Sequence, residues 1–265
     1  MKYIILTAFG ASESAQKTYH FLDAHFSSRF PDARLHWSIS APSGARTTPG
    51  RATGQDDELT KVLDKLPVND RTRCIVQSLH LTPGLEFHRS VRAVQAHRAG
   101  TAIGMPLLSS QEDFHRLVDL LSPLLPNSSD RGVLLIGHGT THPSWTTLPV
   151  LEHLLRGATR SPVFLAVLQH FPDSSTVIDQ MAASGVRHWL VIPLLLSTGM
   201  HFWRDIAGPG PHSWSSRLQQ HGLSPVFHED GLGTLPGIAE MFGDHIQTAF
   251  DRTIDQTKSS RNPSR

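Results

Sequence analysis

Apolar runs alternate with amphipathic and polar stretches along the whole chain, and this pattern predicts its elements. Short runs rich in Val, Ile and Leu that end at glycine or polar residues are typical of buried parallel strands. The predicted strands are Tyr3–Phe9, Leu35–Ile39, Arg73–Leu79, Ala102–Met105, Val133–Ile136, Val163–Leu168, His188–Leu194 and Ser224–His228.

Segments between these runs carry helix signals, namely a polar N-cap residue followed by apolar positions at helical spacing. Ser12 and Ser110 are the clearest predicted N-caps. The predicted helices are Ser12–Arg29, Asp56–Lys65, Gly84–Arg98, Glu112–Leu124, Leu148–Arg156, Ser174–Ala183, Trp203–Ala207, Ser213–His221 and Pro236–Thr253. The stretch Ala41–Gln55 is interrupted by proline and glycine, which predicts a loop.

Strands and helices that alternate in this way predict parallel sheets with right-handed crossovers. The polar, turn-rich stretch Pro126–Gly132 divides the chain into two similar halves. We therefore expect an α/β fold of two similar lobes, each a parallel sheet flanked by helices, with a cleft between them. The N-terminal lobe is expected to span residues 1–127, the C-terminal lobe residues 128–255, and a disordered polar tail residues 256–265.

The charge balance, the cysteine content and the N-terminal run limit the partners, the disulfide chemistry and the location that we expect for the protein. The chain has 24 basic and 23 acidic residues and a formal net charge of +1, which argues against nucleic acid or an anionic membrane as its partner. The single cysteine, Cys74, excludes an intramolecular disulfide and lies in a strand-like run, where a buried thiol is expected. The N-terminal apolar run is interpreted as a strand and not a signal peptide, so we expect a cytoplasmic protein, either monomeric or homo-oligomeric.

Two histidines follow two of the predicted strands of the C-terminal half. His138 follows the run that ends at Gly137, and His201 follows the run that ends in Ser197-Thr198-Gly199-Met200. Ligands of open α/β sheets bind beyond the carboxyl ends of the strands. Imidazole is a common metal ligand and general base. The two histidines could each merely hydrogen-bond at a strand end, but the pair favours a metal or proton-transfer site.

A third strand end in the same half carries Gln169-His170. Gln169 can form hydrogen bonds but is a poor metal ligand and cannot act as a base. His170 could do both, although side chains that alternate along a strand would point it away. In the N-terminal half, His80 follows a strand and Glu86 opens the next helix, where an acidic residue also simply suits the helix dipole. If the lobes face each other, these two side chains look toward His138.

Several stretches resemble those of the anaerobic sirohydrochlorin cobalt chelatases, a class II chelatase family of the early-insertion route to cobalamin. The matching stretches occur in family order and are Ile5–Ser12 (ILTAFGAS), Val76–His88 (VQSLHLTPGLEFH), Gly104–Asp113 (GMPLLSSQED), Gly137–Pro143 (GHGTTHP), Pro193–Ala207 (PLLLSTGMHFWRDIA), Ser213-Trp214 and Gly231–Pro236 (GLGTLP). The resemblance implies two chelatase-like lobes with a tetrapyrrole cleft between them.

The resemblance also implies roles for individual residues. His138 and His201 match the family's two metal-binding histidines, and Gln169 falls at the position of its metal-binding glutamate. A carboxylate adds negative charge and accepts a proton, whereas a neutral glutamine does neither. Two hypotheses explain how the site could compensate for the missing carboxylate. Either His170 completes a three-histidine site, or Glu86 accepts the pyrrole protons. The predicted tetrapyrrole contacts are His80, Trp203, Met200, Phe9 and Gly10.

The implied function is insertion of Co2+ into sirohydrochlorin or a related tetrapyrrole, with Fe2+ or Ni2+ as alternative metals and no organic cofactor. Histidines can hold the ion and accept the displaced protons. The rival interpretation is a family member that has lost catalysis and binds or carries haem, another tetrapyrrole or a metal. Gln169 favours this rival, whereas the retained histidine pair argues against it.

Overall fold

The computed structural model describes residues 2–10, 12–40, 55–66, 74–97 and 101–261, in which eight strands form two four-stranded sheets. The strands are β1 (Lys2–Phe9), β2 (Ala33–Ser40), β3 (Cys74–Ser78), β4 (Ala102–Gly104), β5 (Arg131–Gly137), β6 (Val163–Val167), β7 (His188–Leu194) and β8 (Ser224–Phe227). The first sheet has the order β2-β1-β3-β4 and the second has β6-β5-β7-β8. All strand pairs are parallel, which confirms the predicted class of two parallel sheets flanked by helices.

The helices follow the strands as the sequence predicts. They are α1 (Glu13–Arg29), α2 (Gln55–Lys65), α3 (Leu85–Ala96), α4 (Gln111–Leu121), α5 (Thr147–Ala158), α6 (Ser174–Ala183), α7 (Trp214–Gln220) and α8 (Pro236–Arg261). Ser110 caps α4 through a capping box with Asp113, which satisfies two backbone donors that the first turn leaves without partners. Residues 41–54 of the predicted loop lie outside the described residues.

The segment predicted as a helix at Trp203–Ala207 is a π-helical turn at Phe202–Ile206. The Ala207 amide donates to the Phe202 carbonyl at 2.8 Å, five residues back along the chain. Such turns are rare and are frequently found at functional sites. This one directly follows His201.

Each sheet has its own apolar core. In the first, Tyr3, Ile5 and Val76 pack against Leu59 and Leu63 of α2. Cys74 belongs to the same core and is buried, as predicted. In the second, Ile136 and Val191 of adjacent strands pack with residues of α6, α7 and the π-helical turn, which are Val177, Ile178, Met181, Trp214, Leu218, Phe202 and Ile206.

The compact units divide the chain differently from the predicted boundary at residue 127. The first unit comprises residues 1–11, 19–109 and 239–265, and the second comprises residues 12–18 and 110–238. Helix α4 belongs to the second unit because it packs against α5. Most of α8 belongs to the first unit because Arg29 of α1 forms ion pairs with Glu240 and Asp244. The His245 ring also donates to the Met105 carbonyl at 2.9 Å.

Helix α8 overlaps the first residues of the polar tail predicted from residue 256. The helix continues to Arg261, and no proline or glycine occurs between residues 244 and 262 to end it earlier. In the part of the chain that the structure describes, no helix combines the length and the apolar character needed to cross a membrane.

Candidate metal centre

His138 and His201 lie together at one end of the second sheet. Strands β5 and β7 are neighbours in register, with Gly137 opposite Leu194, so the segments that follow them emerge side by side. The two imidazole ring centres are 5.3 Å apart and the ring planes are inclined by 87°. The structure therefore brings together the two histidines that the sequence singled out.

This ring separation suits a shared metal ion. A metal about 2.1 Å from one nitrogen of each ring lies about 3.3 Å from each ring centre. At a tetrahedral angle, two such rings have centres about 5.3 Å apart. The observed separation equals this value, so the spacing of the rings is compatible with one shared ion.

In both rings, Nδ1 is the nitrogen with a partner. His138 Nδ1 lies 3.2 Å from the carbonyl oxygen of Gly139, and His201 Nδ1 lies 2.7 Å from Oδ2 of Asp205. Both partners accept hydrogen bonds, so each ring donates from Nδ1 and its Nε2 carries a lone pair. Neither Nε2 has a hydrogen-bond partner among the described residues, which leaves both nitrogens available to a metal.

Backbone contacts fix the segment that carries His138. The amide of Gln169 donates to the His138 carbonyl at 3.1 Å, which extends the pairing of β5 and β6 past the strand ends. Gly139 has a φ of +87°, and a Cβ atom there would overlap the backbone oxygen of Gln169. Only glycine combines this conformation with so close an approach.

The third strand end contributes an amide and not a carboxylate. Gln169 is exposed, and its backbone lies beside His138. His170 is also exposed and has a φ of +73°. Among the described residues, no group of three or more His, Cys, Asp and Glu side chains is placed to hold a metal ion. The structure thus groups His138 with His201 but does not group His170 with them.

The segment that carries His201 is anchored on two sides. Phe202 and Ile206 of the π-helical turn are fully buried in the core of the second unit, which stabilises the turn by about 2 kcal/mol per side chain. On the other side, the amides of Leu232 and Gly233 donate to the carbonyls of Leu195 and Leu196. Gly231 is required there because a Cβ atom would collide with Ser197. The GLGT stretch therefore holds the loop before His201 in place.

Asp205, which sequence reasoning missed, contacts His201. Arg204 holds the Asp205 carboxylate with two nitrogens, Nε at 2.6 Å from Oδ1 and Nη2 at 2.9 Å from Oδ2. The Arg204 guanidinium lowers the pKa of Asp205, and the His201 ring adds to this effect against the opposing effect of partial burial. The signal in the sequence was the spacing of four residues between His201 and Asp205, which places two side chains on the same face of a helix.

Large apolar side chains are exposed on the segments that carry these residues. Met200 and Trp203 flank His201 and are 61% and 53% exposed. Trp145 and Phe171, which sequence reasoning also missed, form an edge-to-face pair with ring centres 5.2 Å apart. Aromatic faces left open to solvent suit a flat, apolar ligand.

The remaining predicted site residues lie in the first unit. His80 follows β3, is half-buried, and its Nδ1 lies 2.8 Å from the hydroxyl of Ser78. Burial lowers the pKa of His80 to about 4, so the ring is neutral at pH 7. Glu86 lies in the first turn of α3, where Arg89 forms an ion pair with it. This pair agrees with the structural role of a first-turn acidic residue.

Phe9 is the last residue of β1, and Gly10 follows it. Phe9 is 47% exposed. The Tyr19 hydroxyl donates to the carbonyls of both residues, at 2.9 Å and 3.0 Å. Burial raises the pKa of Tyr19 to about 12, so it stays protonated as a donor. This hydrogen bonding fixes the strand end and leaves the Phe9 ring open to solvent.

A family model described as "Cobalt chelatase (CbiK)" matches residues 2–251. The chain belongs to this family. Family membership confirms the resemblance found in the sequence and the predicted class of enzyme, a metal chelatase.

Individual relatives agree with the family. The chain is 29% identical over 262 residues to "Sirohydrochlorin cobaltochelatase CbiKC" of Nitratidesulfovibrio vulgaris, a match that covers 96% of this chain and 92% of the relative. It is 27% identical over 261 residues to the "Sirohydrochlorin cobaltochelatase" of Salmonella typhimurium, which covers 96% and 98% of the two chains.

Solved structures share the fold of this cobalt chelatase family member. SirB from Bacillus subtilis with Fe3+ has a TM-score of 0.61 at 18% identity, and SirB from the subspecies spizizenii in complex with cobalt has a TM-score of 0.57 at 17% identity. Each match covers 97% of this chain and 98% of the SirB chain. These neighbours confirm the fold.

Proposed function

We propose that the protein is a sirohydrochlorin cobaltochelatase that inserts Co2+ into sirohydrochlorin, as the early cobalt step of anaerobic cobalamin biosynthesis. The observation that carries the proposal is the pair of imidazoles whose ring separation fits one shared metal ion. Two relatives that bear this name and align over 96% of the chain support the choice of substrate and metal.

The reaction exchanges one divalent cation for two protons. Co2+ enters the ring, four pyrrole nitrogens bind it, and two pyrrole nitrogens each lose a proton, so total charge is conserved. His138 and His201 hold the ion through Nε2. As the ion moves to the macrocycle, the two Nε2 atoms regain free lone pairs and can accept the displaced protons.

Gln169 makes the ligand set neutral in this proposal. Two imidazoles and an amide leave the full charge of the cation uncompensated, so the site holds Co2+ less tightly than a site with a carboxylate. Weak binding is suitable for a metal ion that must be transferred from the protein to the macrocycle. Gln169 then acts as a weak ligand or as a hydrogen-bonding group.

The exposed apolar side chains beside the pair provide a surface for the macrocycle. Trp203 packs edge-to-face on the buried Phe202, with ring centres 4.9 Å apart, and 53% of the side chain remains exposed. In the proposal, Trp203 and Met200 contact the flat face of the tetrapyrrole.

An anaerobic insertion assay tests the proposal. Purified protein is mixed with sirohydrochlorin and Co2+, and the absorbance change is followed for the native chain and for the double variant His138→Ala, His201→Ala. A matched control is the double variant His115→Ala, His153→Ala, which removes two exposed helical histidines. We expect a rate well above the spontaneous one for the native chain and the control, and the spontaneous rate for the site variant. Fe2+ and Ni2+ in place of Co2+ establish the metal preference.

The rival function, a tetrapyrrole carrier without catalysis, is favoured by one observation, the amide at position 169. A carrier is expected to purify with a Soret-absorbing ligand and to bind tetrapyrrole tightly while cobalt insertion stays at the spontaneous rate. That combination would contradict the chelatase proposal.

A further inference from the structure

We infer that Asp205 is a positioning residue that fixes the ring orientation and the tautomer of His201, so that Nε2 presents its lone pair to the metal. This inference rests on the proposed function and assigns part of the metal affinity to a carboxylate that does not touch the metal. It concerns a contact within the second unit alone.

The geometry leaves His201 one hydrogen-bonding arrangement. Its Nδ1 lies 2.7 Å from Asp205 Oδ2, a length typical of a charge-assisted hydrogen bond. An ionised carboxylate can only accept, so the proton must reside on Nδ1. Neutral imidazole otherwise exchanges between two tautomers, and only the form with a free Nε2 can bind a metal at that nitrogen.

Asp205 is itself held in place. The planar fork of Arg204 binds both carboxylate oxygens, at 2.6 Å and 2.9 Å, which fixes the rotation of the carboxylate. The π-helical turn contributes as well, because Phe202 and Ile206 are fully buried and anchor the backbone between His201 and Asp205. The carboxylate that orients His201 is therefore held in place by both its backbone and its ion pair with Arg204.

The two histidines of the pair differ in the hydrogen-bond partner of their Nδ1 atoms. His138 donates to a neutral carbonyl, that of Gly139, at 3.2 Å, whereas His201 donates to a carboxylate at 2.7 Å. A carboxylate partner raises the basicity of a metal-binding imidazole, and loss of such a partner typically costs 10-fold to 100-fold in metal affinity or activity. We therefore expect His201 to be the stronger of the two ligands.

The variant Asp205→Asn tests the inference with little change in shape. A side-chain amide can turn its NH2 group toward Nδ1 and stabilise the tautomer whose proton lies on Nε2. The matched control is Asp179→Asn, an exposed carboxylate on α6 of the same unit. Two quantities are measured without tetrapyrrole: the tautomer of His201, from a nitrogen–proton NMR spectrum assigned by the signal lost in His201→Ala, and the affinity for Co2+ alone, from its visible absorption.

We expect native His201 to carry its proton on Nδ1, and Asp205→Asn to shift it toward Nε2. The Co2+ affinity should fall 10-fold to 100-fold in this variant and stay unchanged in Asp179→Asn. A purely structural role for Asp205 would lower the melting temperature without moving the tautomer, and that result would overturn the inference. A native tautomer with the proton on Nε2 would overturn it as well.

A double-variant cycle separates an effect through His201 from any other effect. In the His201→Ala background, Asp205→Asn should cause no further loss of Co2+ affinity, and a further tenfold loss would contradict the inference. Since both measurements omit tetrapyrrole, they stand even if the insertion assay fails. The failure of the proposed function is then distinguishable from the failure of this inference.

Discussion

The two sheets share one topology but present different chemistry at their carboxyl ends. Each sheet places its first strand between the second and the third, with the fourth at the edge. In the second sheet, His138 and His201 meet with their Nε2 atoms available. In the first, His80 is the strand-end histidine among the described residues, and it is half-buried, bonded to Ser78 and neutral. Topology therefore fixes where a ligand can bind, whereas the strand-end residues decide which ligand.

One pair of equivalent positions shows this difference directly. Phe9-Gly10 ends β1 and His138-Gly139 follows β5, and both glycines have positive φ, +103° and +87°. The preceding side chain is exposed in both cases. The same turn thus presents a phenyl ring in the first unit and an imidazole in the second.

Replacing His138 with phenylalanine, the residue at the equivalent position of the first sheet, should have the largest effect on Co2+ affinity. We expect His138→Phe to weaken Co2+ binding by about 100-fold or more, because one of two ligands is lost while an aromatic ring is kept. Titration of the protein with Co2+ in the absence of tetrapyrrole measures this. An affinity within threefold of the native value would mean that His138 is not a ligand.

Introducing a carboxylate at position 169 should increase the difference in metal affinity between the carboxyl ends of the two sheets. We expect Gln169→Glu to raise the Co2+ affinity about tenfold, because a negative charge joins two neutral ligands. The same titration measures the gain, and Gln180→Glu on the exposed face of α6 controls for a nonspecific effect of charge. An equal gain in both variants would show that residue 169 lies away from the ion.

Removing the exposed indole should separate binding of the macrocycle from binding of the metal. We expect Trp203→Ala to weaken sirohydrochlorin binding about fivefold, since an aromatic contact contributes about 1 kcal/mol. The Co2+ affinity should remain unchanged. Fluorescence or absorbance titration measures the first quantity, and Val226→Ala, at another exposed apolar residue of the unit, is the control. Loss of Co2+ binding in Trp203→Ala would contradict a role confined to the macrocycle.

The smallest expected effect concerns His80 and pH. Its pKa in the folded chain is about 4, below the usual value near 6.5 in an unfolded chain. Between these values the unfolded chain binds a proton that the folded chain does not, so the free energy of unfolding falls as the pH drops from about 6.5 to about 4. Because solvent reaches part of the ring, we expect about 1 kcal/mol from this residue.

Urea unfolding at pH 7 and pH 4.5 measures this contribution for the native chain and for His80→Gln. The variant should lose less stability than the native chain between the two pH values. An equal loss in both would mean that His80 is protonated as readily in the folded chain as in the unfolded one.

Most of the fold could be predicted because its signals are local. Apolar runs that end at glycine or polar residues located every described strand to within a few residues, and Ser110 was identified as an N-cap from the residues that follow it. The pairing of His138 with His201 followed from the parallel arrangement, because neighbouring strands end at the same edge.

Other features depend on contacts between distant residues or on backbone detail that residue patterns do not carry. The docking of α8 with the first unit rests on ion pairs of Arg29 with residues more than 200 positions away. The role of Asp205 rests on a π-helical turn, which apolar periodicity does not distinguish from an α-helical one. The Trp145–Phe171 pair joins a 3-10 helical turn after β5 to the loop after β6, and neither residue is distinctive alone.

These predictions require the second unit to hold Co2+ between His138 and His201. X-ray absorption at the cobalt edge, recorded on the protein loaded with Co2+ and no tetrapyrrole, tests this requirement most directly. The account predicts the scattering of two imidazoles around the ion, falling to one in His201→Ala. Cobalt with no imidazole, or two imidazoles that persist in His201→Ala, would contradict it.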